Sequence, residues 1–155
     1  MAADTELKTI AQQEEQLQFE RFDAATAFEI GTRIKTIAER RGVAVAIDVQ
    51  LNGWPLFFYA MPGTTPNNAD WIRRKRNTVL RFHKSSHRVD LELQQKKTTL
   101  AERQGLSTAD YVAAGGGFPV ILRGTGCVGA ITVSGLSREE DHELIVEAIT
   151  GFLGG

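Results

Sequence analysis

The sequence predicts a single α+β domain over residues 1–155, an antiparallel sheet of four or five strands flanked by helices. Three observations predict it. Two pairs of short β-branched runs, within 43–60 and 118–133, are each joined by a glycine-containing turn. Segments of helical periodicity stand before, between and after these pairs, the order of an α+β domain rather than of alternating βαβ units. No internal repeat or low-complexity linker divides the chain, and 155 residues suffice to bury about 68–70% of the unfolded surface in one core.

The elements follow in order. Leu7, Ile10, Glu14 and Leu17 make a thin helical stripe, so residues 4–20 read as a helical appendage for packing or oligomerisation. Asp23 can cap a stronger helix with Ala27, Ile30, Ile34, Ile37 and Ala38 on one face, and Gly42 stops it. In "VAVAIDVQL", Val43, Val45, Ile47, Val49 and Leu51 alternate onto one side; Asn52-Gly53 is a hairpin turn, and "WPLFFYA" returns. After the loop "MPGTTPNNAD", Asn68 or Asp70 can start a helix running from about Trp71 into "HKSSH". A weaker helical pattern through Val89, Leu93 and Leu100 ends at Gly105. The last hairpin pairs Phe118–Leu122 with Val128–Val133. A final helix opens on the capping box of Ser137 and Glu140, with Leu144, Ile145, Ala148, Ile149 and Phe152 inward.

Charge excludes little but is informative. Eighteen Lys and Arg against 19 Asp and Glu leave no bulk field for nucleic acid or an anionic membrane. The N-terminus is acidic, without a basic region leading into an apolar run, and no run has the length of a membrane span. With one cysteine, Cys127, the expectation is a cytoplasmic protein with no internal disulfide.

Gly124, Gly126 and Gly129 spell GxGxxG, yet "AITVSG" follows where a dinucleotide site needs a helix N-terminus. These glycines instead serve a tight turn and a close backbone approach or bulge. Gly115-Gly116-Gly117 lacks the Lys-Ser/Thr of a phosphate loop. It reads either as a tight entry into a buried strand or, through Gly116 and Gly117, as a backbone surface open to a flat or anionic ligand.

The helix from Trp71 carries the most chemistry. Ile72, Val79, Phe82 and His83 form one stripe, and Lys75 and Arg76 fall within its apolar side. Such cations must snorkel, meet a carboxylate such as Asp48, or face an anionic ligand gripped by Arg74, Lys75 or Arg76. His83 is a candidate haem ligand, general base or hydrogen-bonded core residue. His83 and His87 have metal-ligand spacing, but Lys84 stands where a zinc hydrolase has its glutamate. His142 reads as a solvated residue of the last helix's first turn. Cys127 is a packing residue, Ser134 lacks a nucleophile elbow, and Asp141 is explained by favourable charge at a helix start.

"GGGFPVI", "VGAITVSG" and "SREED" together resemble the C-terminal signature of the haem-degrading-domain family, at Gly116, Gly117, Pro119, Gly129, Ala130, Val133, Ser134, Gly135 and Asp141. "DWIRRKRNTVLRFHKSSH", with Trp71, Arg74, Lys75, Asn77, Phe82, His83, Ser85 and Ser86, is similar to its branch named uncharacterised protein family 0303. The resemblance implies a profilin-like or PAS-like sheet and homo-oligomers. It raises haem as a candidate cofactor, since some relatives bind it, and it places an aromatic where His87 stands, against a metal role there. The sequence therefore points to an oligomeric small-molecule binding protein, with Trp71, Arg74, Lys75, His83, Gly116 and Gly117 as candidate ligand contacts. Alternatives are an enzyme acting on a small carboxylate or phosphate and a structural or adaptor oligomer held by the helix charges.

Overall fold

The computed structural model describes residues 2–155. Its order is α1 (Ala2–Gln16), α2 (Ala24–Arg41), β1 (Ala46–Leu51), β2 (Trp54–Ala60), α3 (Pro66–Phe82), α4 (Ser86–Lys96), α5 (Leu100–Gln104), β3 (Gly117–Leu122), β4 (Gly126–Ser134) and α6 (Arg138–Gly154). The four strands form one antiparallel sheet in the order β2-β1-β4-β3. Both hairpins thus pair internally, and β1 meets β4 at the centre.

Local chemistry sets most boundaries. The Asp23 carboxylate accepts from the Thr26 N–H at the start of α2, and Gly42, at φ 68°, closes its end. Asn52 and Gly53 both take positive φ, the two-residue turn whose twist suits a hairpin. Ser137 and Glu140 cap α6 reciprocally. Gly129 sits where a Cβ would lie 2.1 Å from the Gln50 carbonyl oxygen, so the close pairing of β1 with β4 requires glycine there.

Helical boundaries differ from expectation at several places, first in α1, which stops at Gln16 rather than running to residue 20, so that Phe19 instead bridges Leu122 of β3. α3 begins at Pro66, with Asn68 reaching back to accept from the Thr65 N–H, because proline suits the first helical position and needs no N–H there. The same helix stops at Phe82 rather than crossing "HKSSH": His83 adopts φ 58°, and Ser85 then caps α4 by accepting from the Arg88 N–H. The pattern from Val89 to Gly105 is likewise two helices, broken at Lys97, with Thr99 capping α5.

α2 and α6 cover one sheet face. Ile30 and Ile34 of α2 and Leu144, Ile145 and Ile149 of α6 pack with Ile47, Val49, Ile131 and Val133 in the main core. α3 crosses the opposite face, over β4, β3 and β1, and α4 leans on it. α1 docks on α4, where the buried Glu14 accepts from the Ser85 N–H and pairs with Arg88. Among the described residues no helix is long and apolar enough to cross a membrane.

Candidate functional site

Four segments meet where β4 ends: the first turns of α3, Ala114 before β3, the 134–136 bend, and the start of α6. They enclose a pocket of about 270 Å³ lined by Asn67, Asn68, Trp71, Lys75, Ser134, Arg138 and Asp141, among others.

Lys75 forms its buried wall. At 3% exposure it is the most buried cation the structure describes, and its Nζ donates to the Val133 carbonyl at 2.9 Å and to Asp141 Oδ2 at 3.0 Å. Asp141, 2% exposed, also accepts from the Leu136 N–H through Oδ1. Burial pushes the lysine below its usual pKa, and the same burial pushes the Asp141 carboxyl above its own; the ion pair opposes both shifts. Asp141 is therefore more than a favourable charge at a helix start. It is the internal partner of Lys75, 66 positions away in sequence, and adjacency could not reveal it.

The triple glycine makes room for this pair. A Cβ on Gly116, whose φ is 124°, would stand 2.5 Å from Lys75 Nζ and 2.7 Å from the Val133 oxygen. One on Gly115 would meet the Arg138 carbonyl oxygen at 2.2 Å, and one on Gly117 would meet Val79 Cγ2 at 2.8 Å. All three are buried, and the Gly117 N–H donates to Ser86 Oγ. The backbone surface expected at Gly116 and Gly117 is thus occupied by the protein's own α3, α4 and α6.

The remaining sequence candidates separate. Trp71 lines the pocket, and the Arg74 guanidinium stacks on its ring at 4.2 Å while pairing with Asp70. Arg76 leaves the apolar flank through the expected partner, Asp48, at 3.0 Å; burial raises that carboxyl and Arg76 counters the rise. His83 is exposed at the far end of α3 and does not line the pocket. Its place in the apolar stripe is corrected by the left-handed turn it adopts there. Ser134 enters as a polar wall, its Oγ accepting from Asn68 Nδ2 at 3.1 Å. Asn67, Asn68 and Arg138 were missed in sequence because a helix start and a capping segment account for them locally. Cys127 is half-buried with its thiol pushed up by burial, consistent with packing.

A second buried cluster also departs from expectation. His142 is not solvated: it is 3% exposed, packed against His87 with ring centroids 4.9 Å apart and planes tilted by 44°, its Nε2 2.8 Å from Gln13 Oε1 of α1. Both rings leave Nδ1 buried without a partner. Burial, aided by His87, drives the His142 pKa down to about 3. Among the described residues no group of three or more His, Cys, Asp or Glu could hold a metal ion.

Fold and pocket define a class, a small α+β domain whose one antiparallel sheet ends in a polar pocket walled by a buried lysine–aspartate pair. The chain belongs to the HbpS-like family, whose model, described as "Haem degrading protein HbpS-like", matches residues 22–150. It is 53% identical over 153 residues to a UPF0303 protein of Azotobacter vinelandii, covering 99% of this chain and 92% of that one. Among solved structures, the Ybr137w protein superposes with a TM-score of 0.88 at 29% identity, covering 96% of this chain and 87% of that chain. A double mutant of Streptomyces reticuli HbpS gives 0.69 at 25% identity, covering 89% and 90%.

Proposed function

We propose that the protein binds a small, acceptor-rich anionic ligand in the pocket between Trp71, Lys75 and Arg138. One observation carries the reading. Lys75 has three N–H donors and uses two within the described residues, so a nine-tenths-buried cation borders the pocket with a donor unspent. The lining supports it: Arg138 pairs with Asp90 through Nη1 at 3.0 Å and has further guanidinium N–H groups to offer a ligand, with the Asn67 and Asn68 amides at the rim. About 270 Å³ falls just below the ~300–1,000 Å³ of pockets for drug-sized molecules, which sets the ligand's scale.

Trp71 is one of two tryptophans, and the other, Trp54, is exposed on β2. A Trp54→Phe protein therefore reports on the pocket through Trp71 emission. Titration with acetate, pyruvate or inorganic phosphate should give a saturable change with at least one probe, abolished by Arg138→Ala. Unchanged emission with all three overturns the proposal.

Haem is a second reading, favoured by the family's description. The pocket does not fit it, since no lining residue is a His, Cys, Met or Tyr able to serve as axial ligand. The candidate ligand read from the sequence, His83, lies on the surface outside the pocket. A Soret shift on hemin titration that disappears in His83→Ala supports this reading, and a shift indifferent to the substitution removes it.

Homo-oligomer formation and residence in the cytoplasm belong to the same proposal. The exposed Phe28, Trp54 and Phe58 of α2 and β2 support the first, and the lone Cys127 agrees with the second. Arg74 and Lys75 are paired within the chain, so charge contacts through them do not supply the interface. A monomer in sedimentation velocity would overturn assembly.

A further inference from the structure

The Lys75–Asp141 pair is costly to maintain. Removing two charges from water is repaid only by good geometry, and a well-packed apolar pair would serve stability as well. Here the chain also gives up a side chain at Gly116 to fit the ammonium group. The arrangement brings a primary amine, a carboxylate within proton-transfer distance and a pocket with a further cation into one place.

From this geometry we propose that Lys75 is a nucleophile that forms a reversible imine with the carbonyl of a small 2-oxo acid held in the pocket. The inference rests on the pocket reading above and adds a covalent bond to it. The carboxylate of such a ligand meets Arg138 and the asparagine amides, and its adjacent carbonyl carbon reaches Lys75 Nζ.

The step balances without a redox partner. Lys75 passes one ammonium proton to Asp141, and a one-third turn about the Cε–Nζ bond aims the freed lone pair at the carbonyl carbon. Nitrogen–carbon bond formation pushes the carbonyl electrons onto oxygen, which takes the proton from Asp141. The added nitrogen returns a second proton to Asp141, giving a neutral carbinolamine. Asp141 hands that proton to the hydroxyl, the carbon–oxygen bond breaks, and water leaves. The product is a protonated imine whose single positive charge still faces the Asp141 carboxylate, so the buried pair survives the reaction. The opposed pKa shifts of the two groups bring their proton affinities closer and ease the first transfer.

Borohydride trapping tests this on the intact protein. With pyruvate and sodium cyanoborohydride, peptide mapping should find the reduced adduct on Lys75 about tenfold faster than on the exposed Lys96 and Lys97. Lactate, which has a hydroxyl in place of the ketone, should compete and leave no adduct. Asp141→Asn should slow labelling of Lys75 selectively. If pyruvate alters Trp71 emission but only exposed lysines are labelled, the imine is wrong and the pocket stands. If Lys75 carries no adduct and acetate, pyruvate and phosphate all leave Trp71 emission unchanged, both fail. Mapping needs only the wild-type chain, so a variant that does not fold leaves the test intact.

Discussion

His142 makes the stability of this domain depend on pH in a way that can be worked from its surroundings. Its Nε2 faces Gln13 Oε1, so the neutral ring donates there and leaves the Nδ1 lone pair without a donor. Protonation would place a second N–H at Nδ1, where no acceptor stands, next to His87 across 4.9 Å. The charged form is disfavoured and the folded-state pKa lies at about 3 against an ordinary 6.5. A histidine whose folded pKa is depressed contributes its full stability above about pH 6.5. That contribution declines as the pH falls toward 3, because the unfolded chain takes up the proton first. At pH 5 the deficit is 1.5 pH units, or about 2 kcal/mol relative to pH 7.5.

The comparison that isolates this contribution is urea unfolding of the wild type and of His142→Gln, which keeps a hydrogen-bonding group of similar reach but cannot titrate. The carboxyls of Asp48 and Asp141 also titrate with shifted values, but they do so in both proteins and cancel in the difference. Between pH 7.5 and 5 the wild type should lose about 2 kcal/mol more than the variant, a large part of a domain's ~5–15 kcal/mol. Parallel curves would refute the reasoning and imply that the ring accepts its second proton in the folded state.

Two further predictions concern the pocket wall. Lys75→Met strands Asp141 in the interior and should cost about 3–5 kcal/mol, measured by chemical denaturation, whereas Lys75→Met with Asp141→Leu should recover most of the loss. An additive double variant would contradict the pairing. Gly116→Ala combines a left-handed backbone with a collision against Lys75 Nζ and the Val133 oxygen. It should therefore lose more stability than Gly53→Ala, where the φ is also positive but no atom lies within 4 Å and the cost is the ~1–2 kcal/mol of the backbone alone. Equal losses would mean that the 115–117 loop shifts freely.

Strand pairing and caps were legible in the sequence because their signals are local. Asn52-Gly53 encodes its turn within two residues, and the Ser137–Glu140 box encodes the start of α6 within four. His83 was misplaced for a related reason. Periodicity assumes the helix continues, and the interruption at His83 is set partly by tertiary contacts, with Ser85 buried and its N–H held by Glu14 from α1. His142 looked like a solvated first-turn residue because the burial that governs it comes from α1 and α4, about 129 and 55 positions earlier in the chain.

The candidate site shows the same division. Lys75 was recognisable as a cation on an apolar flank, and Asp48 was recognisable as an acid that could answer one, but the sequence did not assign partners. The structure sends Asp48 to Arg76 and Asp141 to Lys75. Side-chain direction decides this. Asp48 lies at the centre of β1 on the face that α3 crosses, in reach of a long guanidinium, whereas Asp141 sits one turn into α6 at the end of β4, where the shorter lysine arrives with Gly116 beneath it. Gly116 is therefore the residue through which the sequence could have revealed the site. Its positive φ alone calls for glycine, as at Gly53, but unlike Gly53 it also adjoins a buried ammonium group. The glycine-rich stretch thus bears on the pocket through the room it leaves for Lys75.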